Sequence, residues 1–131
     1  MSKNEIELVL AFVQPFQLER VVDAVRALAD SPGLSASEVV GFGSHGAHPP
    51  RPGDSGEVRP LSKKIRIEVV CRSRDTPAIV DAIRHAAHTG NAGDGKVFVS
   101  PVSLAWRIRT GEEGETALLA RRRRSGGPPT D

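Results

Sequence analysis

The residue types best suited to chemistry lie in Thr89-Gly90-Asn91-Ala92-Gly93-Asp94-Gly95-Lys96. Glycines let a backbone approach a ligand closely and adopt dihedrals closed to other residues. Successive N–H groups in such a loop form a concave anion site, and a lysine at its exit adds a point charge. The chemistry implied is the cradling of phosphate, and with it a nucleotide. Gly90, Gly95 and Lys96 also fit the G-x-x-x-x-G-K part of a P-loop, but Val97 stands where Ser or Thr would hold Mg²⁺. A P-loop follows a strand and opens a helix. Here a helical pattern comes first and a strand pattern follows, so the P-loop ATPase reading is rejected. A glycine-rich helix stop is the plain alternative.

Arg107 and Arg109 alternate with Trp106 and Ile108. In a strand that spacing puts both guanidinium groups on one face, where they could fork around a polyphosphate. A solvated strand face explains them as simply. Lys64, on an earlier strand pattern, adds a further charge. Four histidines form two His-x-x-His pairs, His45/His48 in a glycine- and proline-rich stretch and His85/His88 on a helical pattern. Such spacing can hold a metal, but neither pair has a third ligand nearby. Asp94 could orient Lys96 or close the turn. Cys71, the single cysteine, falls in an apolar strand pattern and reads as core. No Ser-His-Asp order, no catalytic carboxylate pair and no Cys-x-x-Cys is found, so the chain does not read as an enzyme.

The elements that must position these residues follow from periodicity. Ile6 to Val13 is a strand, broken by Gln14-Pro15-Phe16. Leu18, Val21, Val22, Val25 and Leu28 recur at helical spacing, with a stop at Asp30-Ser31-Pro32-Gly33. Ser35 to Phe42 reads as a second strand. Residues 43–62 carry almost no apolar side chain and form a long loop, a feature that is usually functional or disordered. Lys64 to Arg72 alternates, with Ile65, Ile67, Val69 and Cys71 on one side and Lys64, Arg66, Glu68 and Val70 on the other. Thr76-Pro77 predicts an N-cap and first helical position, and Ile79, Val80, Ile83, Ala86 and Ala87 an amphipathic helix. Val97–Val99 and Val102–Arg109 complete the strands. The order β-α-β-loop-β-α-β predicts an α+β, ferredoxin-like βαββαβ sandwich, with an antiparallel sheet and two helices on one face. The uncovered face of such a sheet favours association.

A length of 131 residues suits one domain, placed at residues 1–120, with a basic tail at 121–131. Four of the 18 Lys and Arg are Arg121–Arg124, so residues 1–120 hold 14 basic against 15 acidic groups and the excess belongs to the tail. The tail has nothing apolar to bury and is expected to be disordered. It could touch nucleic acid or anionic lipid or be simply solvated, and no aromatic stacking pattern supports nucleic-acid readout. The longest apolar run, Leu8 to Val13, is too short to span a bilayer, and no signal segment is seen, so a cytoplasmic protein is expected.

In sum these segments resemble the PII signal-transduction family. Residues 89–99 resemble its nucleotide-binding B-loop and following strand, and Arg107-Ile108-Arg109-Thr110-Gly111-Glu112 resembles its C-terminal signature. Gln14-Pro15-Phe16, Val40-Gly41-Phe42-Gly43 and Lys64-Ile65-Arg66-Ile67-Glu68-Val69 match in order and spacing. The resemblance implies a homotrimer binding ATP, ADP or AMP in clefts between subunits. Gly93, Asp94, Gly95 and Lys96 of the B-loop (89–96) would cradle phosphates. Arg107 and Arg109, at the start of a C-terminal loop reaching about residue 119, would contact them from the neighbouring subunit. Thr89, Glu68 and Val70 would lie near the base, with Gly41, Phe42 and Gly43 at the foot of the long loop, and Lys64 would belong to the nucleotide-binding set. That loop, about 43–62, would be the T-loop that docks into a transporter or enzyme.

The departures concentrate there. Ser44-His45 replaces the family's Arg-Gln, whose glutamine helps hold Mg²⁺ and 2-oxoglutarate; His45 could bind a metal but lacks the amide. The chain has no tyrosine, which removes control by tyrosine modification; Glu57 stands at that place. Ser55 falls where some relatives are phosphorylated, and Asn91 replaces a lysine of the B-loop. The alternative implied is a metal- or bicarbonate-linked regulator of a non-ammonium transporter, with His45 and His48 as metal ligands and 2-oxoglutarate sensing lost.

Overall fold

The structure, a computed structural model, describes residues 5–41 and 61–119. Phe42, Gly43, His45 and His48, most of the expected T-loop and the arginine tail lie outside the described residues.

Strand β1 (Ile6–Val13) is central in a four-stranded antiparallel sheet of order β2-β3-β1-β4, with β2 at Ser35–Gly41, β3 at Ser62–Arg72 and β4 at Gly95–Pro101. Helix α1 (Leu18–Arg26) joins β1 to β2, and α2 (Thr76–Ala87) joins β3 to β4. This is the expected ferredoxin-like arrangement.

Period-two alternation in β1 and β3 sends Val9, Ala11 and Val13, with Ile65, Ile67 and Val69, towards the helices, where all are buried. Val21 and Val25 of α1, with Ile79, Ile83 and Ala87 of α2, close the core from above. Cys71 joins it, as expected, and its thiol is pushed up first by burial. The other sheet face carries Leu8, Leu10 and Phe12, which lie beside Val70, Glu68 and Arg66 of β3 and Ser100, Phe98 and Lys96 of β4. Among the described residues no helix covers that face: Phe98 keeps 50% of its surface exposed and Val70 37%.

Helix α1 ends at Arg26 with Ala27 as its C-cap; beyond it Asp30 turns to positive φ and the Ser31 hydroxyl donates to the Val25 carbonyl at 2.8 Å. Two expectations need correction. Thr76 is not an N-cap; it is already helical, and Asp75 in the cap position makes no side-chain cap bond. Other partners take over: the Thr76 hydroxyl donates to Glu7 Oε1, distant in sequence, at 2.8 Å, and Asp75 accepts locally from Arg72 Nε at 2.9 Å. Val102–Arg109 is not a strand either. Val102 N–H still bonds the Ile6 carbonyl at 3.0 Å, but β1 begins at Ile6, and among the described residues no strand of the sheet pairs with the chain beyond that point. It folds back on itself instead. Arg107 N–H donates to the Glu112 carbonyl and Gly111 N–H to the Arg107 carbonyl, both at 2.8 Å, with Gly111 at φ 74°.

Candidate functional site

The glycine loop leaves α2 at Ala87 and enters β4 at Gly95, in the order expected from sequence. Asp94 closes it. Its Oδ2 accepts from Thr89 N–H at 2.7 Å and Gly90 N–H at 3.0 Å, and its Oδ1 accepts from the Thr89 hydroxyl. The Thr89 hydroxyl above all, then the Thr89 N–H, hold the Asp94 carboxyl below its ordinary range, with Gly90 and His88 adding to the effect. The carboxylate therefore closes the turn; nothing ties it to Lys96. Gly95 has no room for a side chain: at φ 109°, a Cβ would lie 1.7 Å from the Phe12 carbonyl oxygen. Lys96, next along β4, is exposed.

Two side chains grip the loop from outside. Gln14 Nε2 donates to the Gly93 carbonyl at 2.8 Å, and Lys64 Nζ donates to the same oxygen at 2.7 Å. The sequence predicts Lys64 near this site; it marks Gln14 as part of a strand break and of a family-like segment, but not as a partner of the loop. Residues 79 positions apart leave no local signal of such a contact. Glu68 and Val70 lie with Lys64 on the uncovered face of β3, and Glu68 pairs with Arg66 at 2.8 Å. Gly41 ends β2, its carbonyl accepting from the Ser62 hydroxyl at 3.1 Å. A groove of about 560 Å³ runs beside the loop, between α2 and the start of β4, with Val80, Ile83, His88, Asp94 and Lys96 among its walls.

The structure does not bring the arginines to this loop within one chain. Arg107 is buried; its guanidinium donates to the carbonyls of Leu119 and, at 3.3 Å, Ala117, and lies 3.7 Å from the Glu112 carboxylate. Arg109 is exposed on the turn. Arg74, just before α2, bonds Glu115 at 2.9 Å and so anchors the C-terminal segment at the start of that helix. The glycine loop is at its other end. Twelve residues of helix separate the two by roughly 18 Å.

The second histidine pair does not share a helix face. His85 is in α2 with Nδ1 2.7 Å from the Asp81 carbonyl, whereas His88 lies past the helix end in extended conformation. Among the described residues no cluster of three metal-ligating groups forms, and no helix is long and apolar enough to cross a membrane.

The sheet order and the placement of both helices define a ferredoxin-like α+β protein. The family model for "Nitrogen regulatory protein P-II" matches residues 6–112. The nitrogen regulatory protein P-II of Cereibacter sphaeroides is 44% identical over 108 residues, covering 82% of this chain and 96% of that protein. The nitrogen regulatory protein GlnK2 of Haloferax mediterranei is 38% identical over 117 residues, covering 86% and 91%. Among solved structures, Arabidopsis thaliana PII bound to citrate superposes with a TM-score of 0.73 at 29% identity, covering 93% of this chain and 97% of that one. The chain belongs to the nitrogen regulatory protein P-II family, a family of signal-transduction proteins.

Proposed function

We propose that this protein is a non-enzymatic regulator that binds ATP, ADP or AMP in clefts between the subunits of a homotrimer. Occupancy of the cleft then sets the conformation of the segment around residues 43–62, which docks on a transporter or enzyme. The observation that carries this reading is the separation of the two halves of the site. A closed glycine loop with Lys96 lies at one end of α2, and the turn bearing Arg107 and Arg109 is anchored at the other. One chain cannot bring both to one phosphate. A neighbouring copy can, and the chain offers surfaces for it. Phe98 and Val70 on the uncovered sheet face, and Leu104, Trp106 and Ile108 in the C-terminal segment, are exposed apolar side chains.

In this reading the loop N–H groups and Lys96 hold the phosphates, and Arg109 of the next subunit approaches from outside. Arg107 shapes the turn that presents Arg109, through its bonds to the Leu119 and Ala117 carbonyls. A ligand that contacts two subunits at once shifts the population of any element that touches both. Calorimetric titration of ATP, ADP and AMP into the wild type and Lys96→Ala tests the proposal. Saturable binding that Lys96→Ala weakens supports it; no binding, or identical binding by the variant, refutes it.

A further inference from the structure

The glycine loop has a feature that the phosphate reading does not require. Its Gly93 carbonyl accepts two side-chain donors, from Gln14 at 2.8 Å and Lys64 at 2.7 Å. A carbonyl oxygen has two lone pairs, so both bonds can be made at once. The donors come from facing positions: Val13 pairs with Ile65, the last pair of that ladder, which places Gln14 just past the end of β1 and Lys64 opposite it on β3. They press against the backbone where Gly93 has φ 93°. A Cβ there would lie 2.9 Å from Gln14 Nε2 and 3.6 Å from Lys64 Nζ.

We infer that Gln14 is a positioning residue of this loop: with Lys64 it fixes the 93–94 peptide so that the Asp94 N–H faces a bound phosphate. The inference rests on the nucleotide reading above and names the residue that prepares its anion site. A trans peptide is planar, with its C=O and N–H pointing in opposite directions. A carbonyl held towards Gln14 and Lys64 therefore turns the Asp94 N–H to the far side of the loop. The Asp94 side chain restrains the other half of the loop, residues 89 and 90. The two restraints act on different peptides, and together they fix the loop before a ligand arrives, which lowers the ordering cost of binding. Gln14 also gives the carbonyl a neutral donor. Lys64 can turn its ammonium to an anion while the Gly93 carbonyl stays satisfied.

The test uses the full-length protein, with ADP as the probe. Gln14→Leu removes the donor and keeps the approximate size, and is expected to weaken ADP binding about three- to tenfold. Gln14→Lys supplies a donor again and is expected to restore affinity to within about twofold. Gln14→Glu is expected to be worse than Gln14→Leu, because its carboxylate repels the Gly93 carbonyl and draws Lys64 away. A role in fold stability alone would not produce this order, and thermal unfolding of the ligand-free variants is expected to stay close to wild type. Equal affinity of Gln14→Leu and wild type, failure of Gln14→Lys to restore binding, or equivalence of the Leu and Glu variants overturns the inference. If the wild type itself binds no ADP, the nucleotide reading fails. Positioning is then decided by the Asp94 amide resonance of the ligand-free protein, which reports hydrogen bonding to the carbonyl of the same peptide. It is expected to shift in Gln14→Leu and return in Gln14→Lys; an unmoved resonance overturns the positioning role as well.

Discussion

Replacing Gly95 by alanine should damage this protein far more than the same change elsewhere in the glycine loop. Gly95 has φ 109°, and a Cβ there would lie 1.7 Å from the Phe12 carbonyl oxygen and 2.9 Å from its carbonyl carbon. Ordinary contact begins at 3.4 Å, so β1 and β4 would have to part by about 1.7 Å at this rung. Backbone cannot swing aside as a side-chain end can. Forcing a non-glycine residue into this region costs roughly 1–3 kcal/mol. Losing one or two ladder hydrogen bonds adds about 1 kcal/mol each. Together these give about 2–5 kcal/mol, a large share of the stability of a domain this size. Two neighbours serve as internal controls. At Gly90 (φ 88°) the nearest atom to a Cβ is His88 Cε1 at 3.8 Å, so only the conformational cost applies, about 1 kcal/mol. Gly93 falls between them, because its Cβ meets the flexible end of Gln14 at 2.9 Å. Urea unfolding at one fixed protein concentration measures all three, the concentration being fixed because assembly contributes to stability. The expected order of loss is Gly95, then Gly93, then Gly90. A Gly95→Ala variant within about 1 kcal/mol of wild type, or no worse than Gly90→Ala, would refute the steric reasoning.

Two further outcomes follow from the same structure. Ile67 is fully buried at the centre of β3, and Ile67→Ala should cost about 2–5 kcal/mol in the same urea experiment; a loss under about 1 kcal/mol would mean the sheet is not packed as described. Asp94 titrates below the ordinary aspartate value of 3.8, because its ionised form accepts the Thr89 and Gly90 donors. A depressed native pKa stabilises the loop fully above that ordinary value and loses the effect as pH falls through the native one. Amide exchange at Thr89 and Gly90, corrected for its intrinsic pH dependence, should therefore show constant protection from neutral pH down to about pH 4 and a loss only below it. Loss between pH 5 and 7 would contradict the assignment.

Much of the fold was legible because periodicity is local. The alternation of Lys64 to Arg72 predicts Ile65, Ile67, Val69 and Cys71 in the core, and the structure buries all four. The helical spacing of Ile79, Ile83 and Ala87 did the same for α2. What escaped was set by distant partners. Thr76-Pro77 has the composition of a helix start, but Glu7, 69 positions away, captures the threonine hydroxyl. Trp106 to Arg109 alternates like a strand, yet β1 has ended, and among the described residues Trp106 makes only an isolated bridge to Glu113. The glycine loop was legible from composition. The donors that hold its Gly93 carbonyl come from β1 and β3, and only the register of those strands brings them there. Phe42, Gly43, His45 and His48 fall outside the described residues, so the metal- or bicarbonate-linked alternative rests on the sequence alone.

The central claim is that a nucleotide site is completed between copies of this chain. Native mass spectrometry with and without ADP tests it most directly, because one spectrum reads assembly and occupancy together. The account predicts a trimer that takes up one ADP per subunit, with occupancy reduced in Lys96→Ala and in Arg109→Ala while the trimer persists. A monomer that binds ADP as well as the assembled protein, or a trimer that binds none, would contradict it.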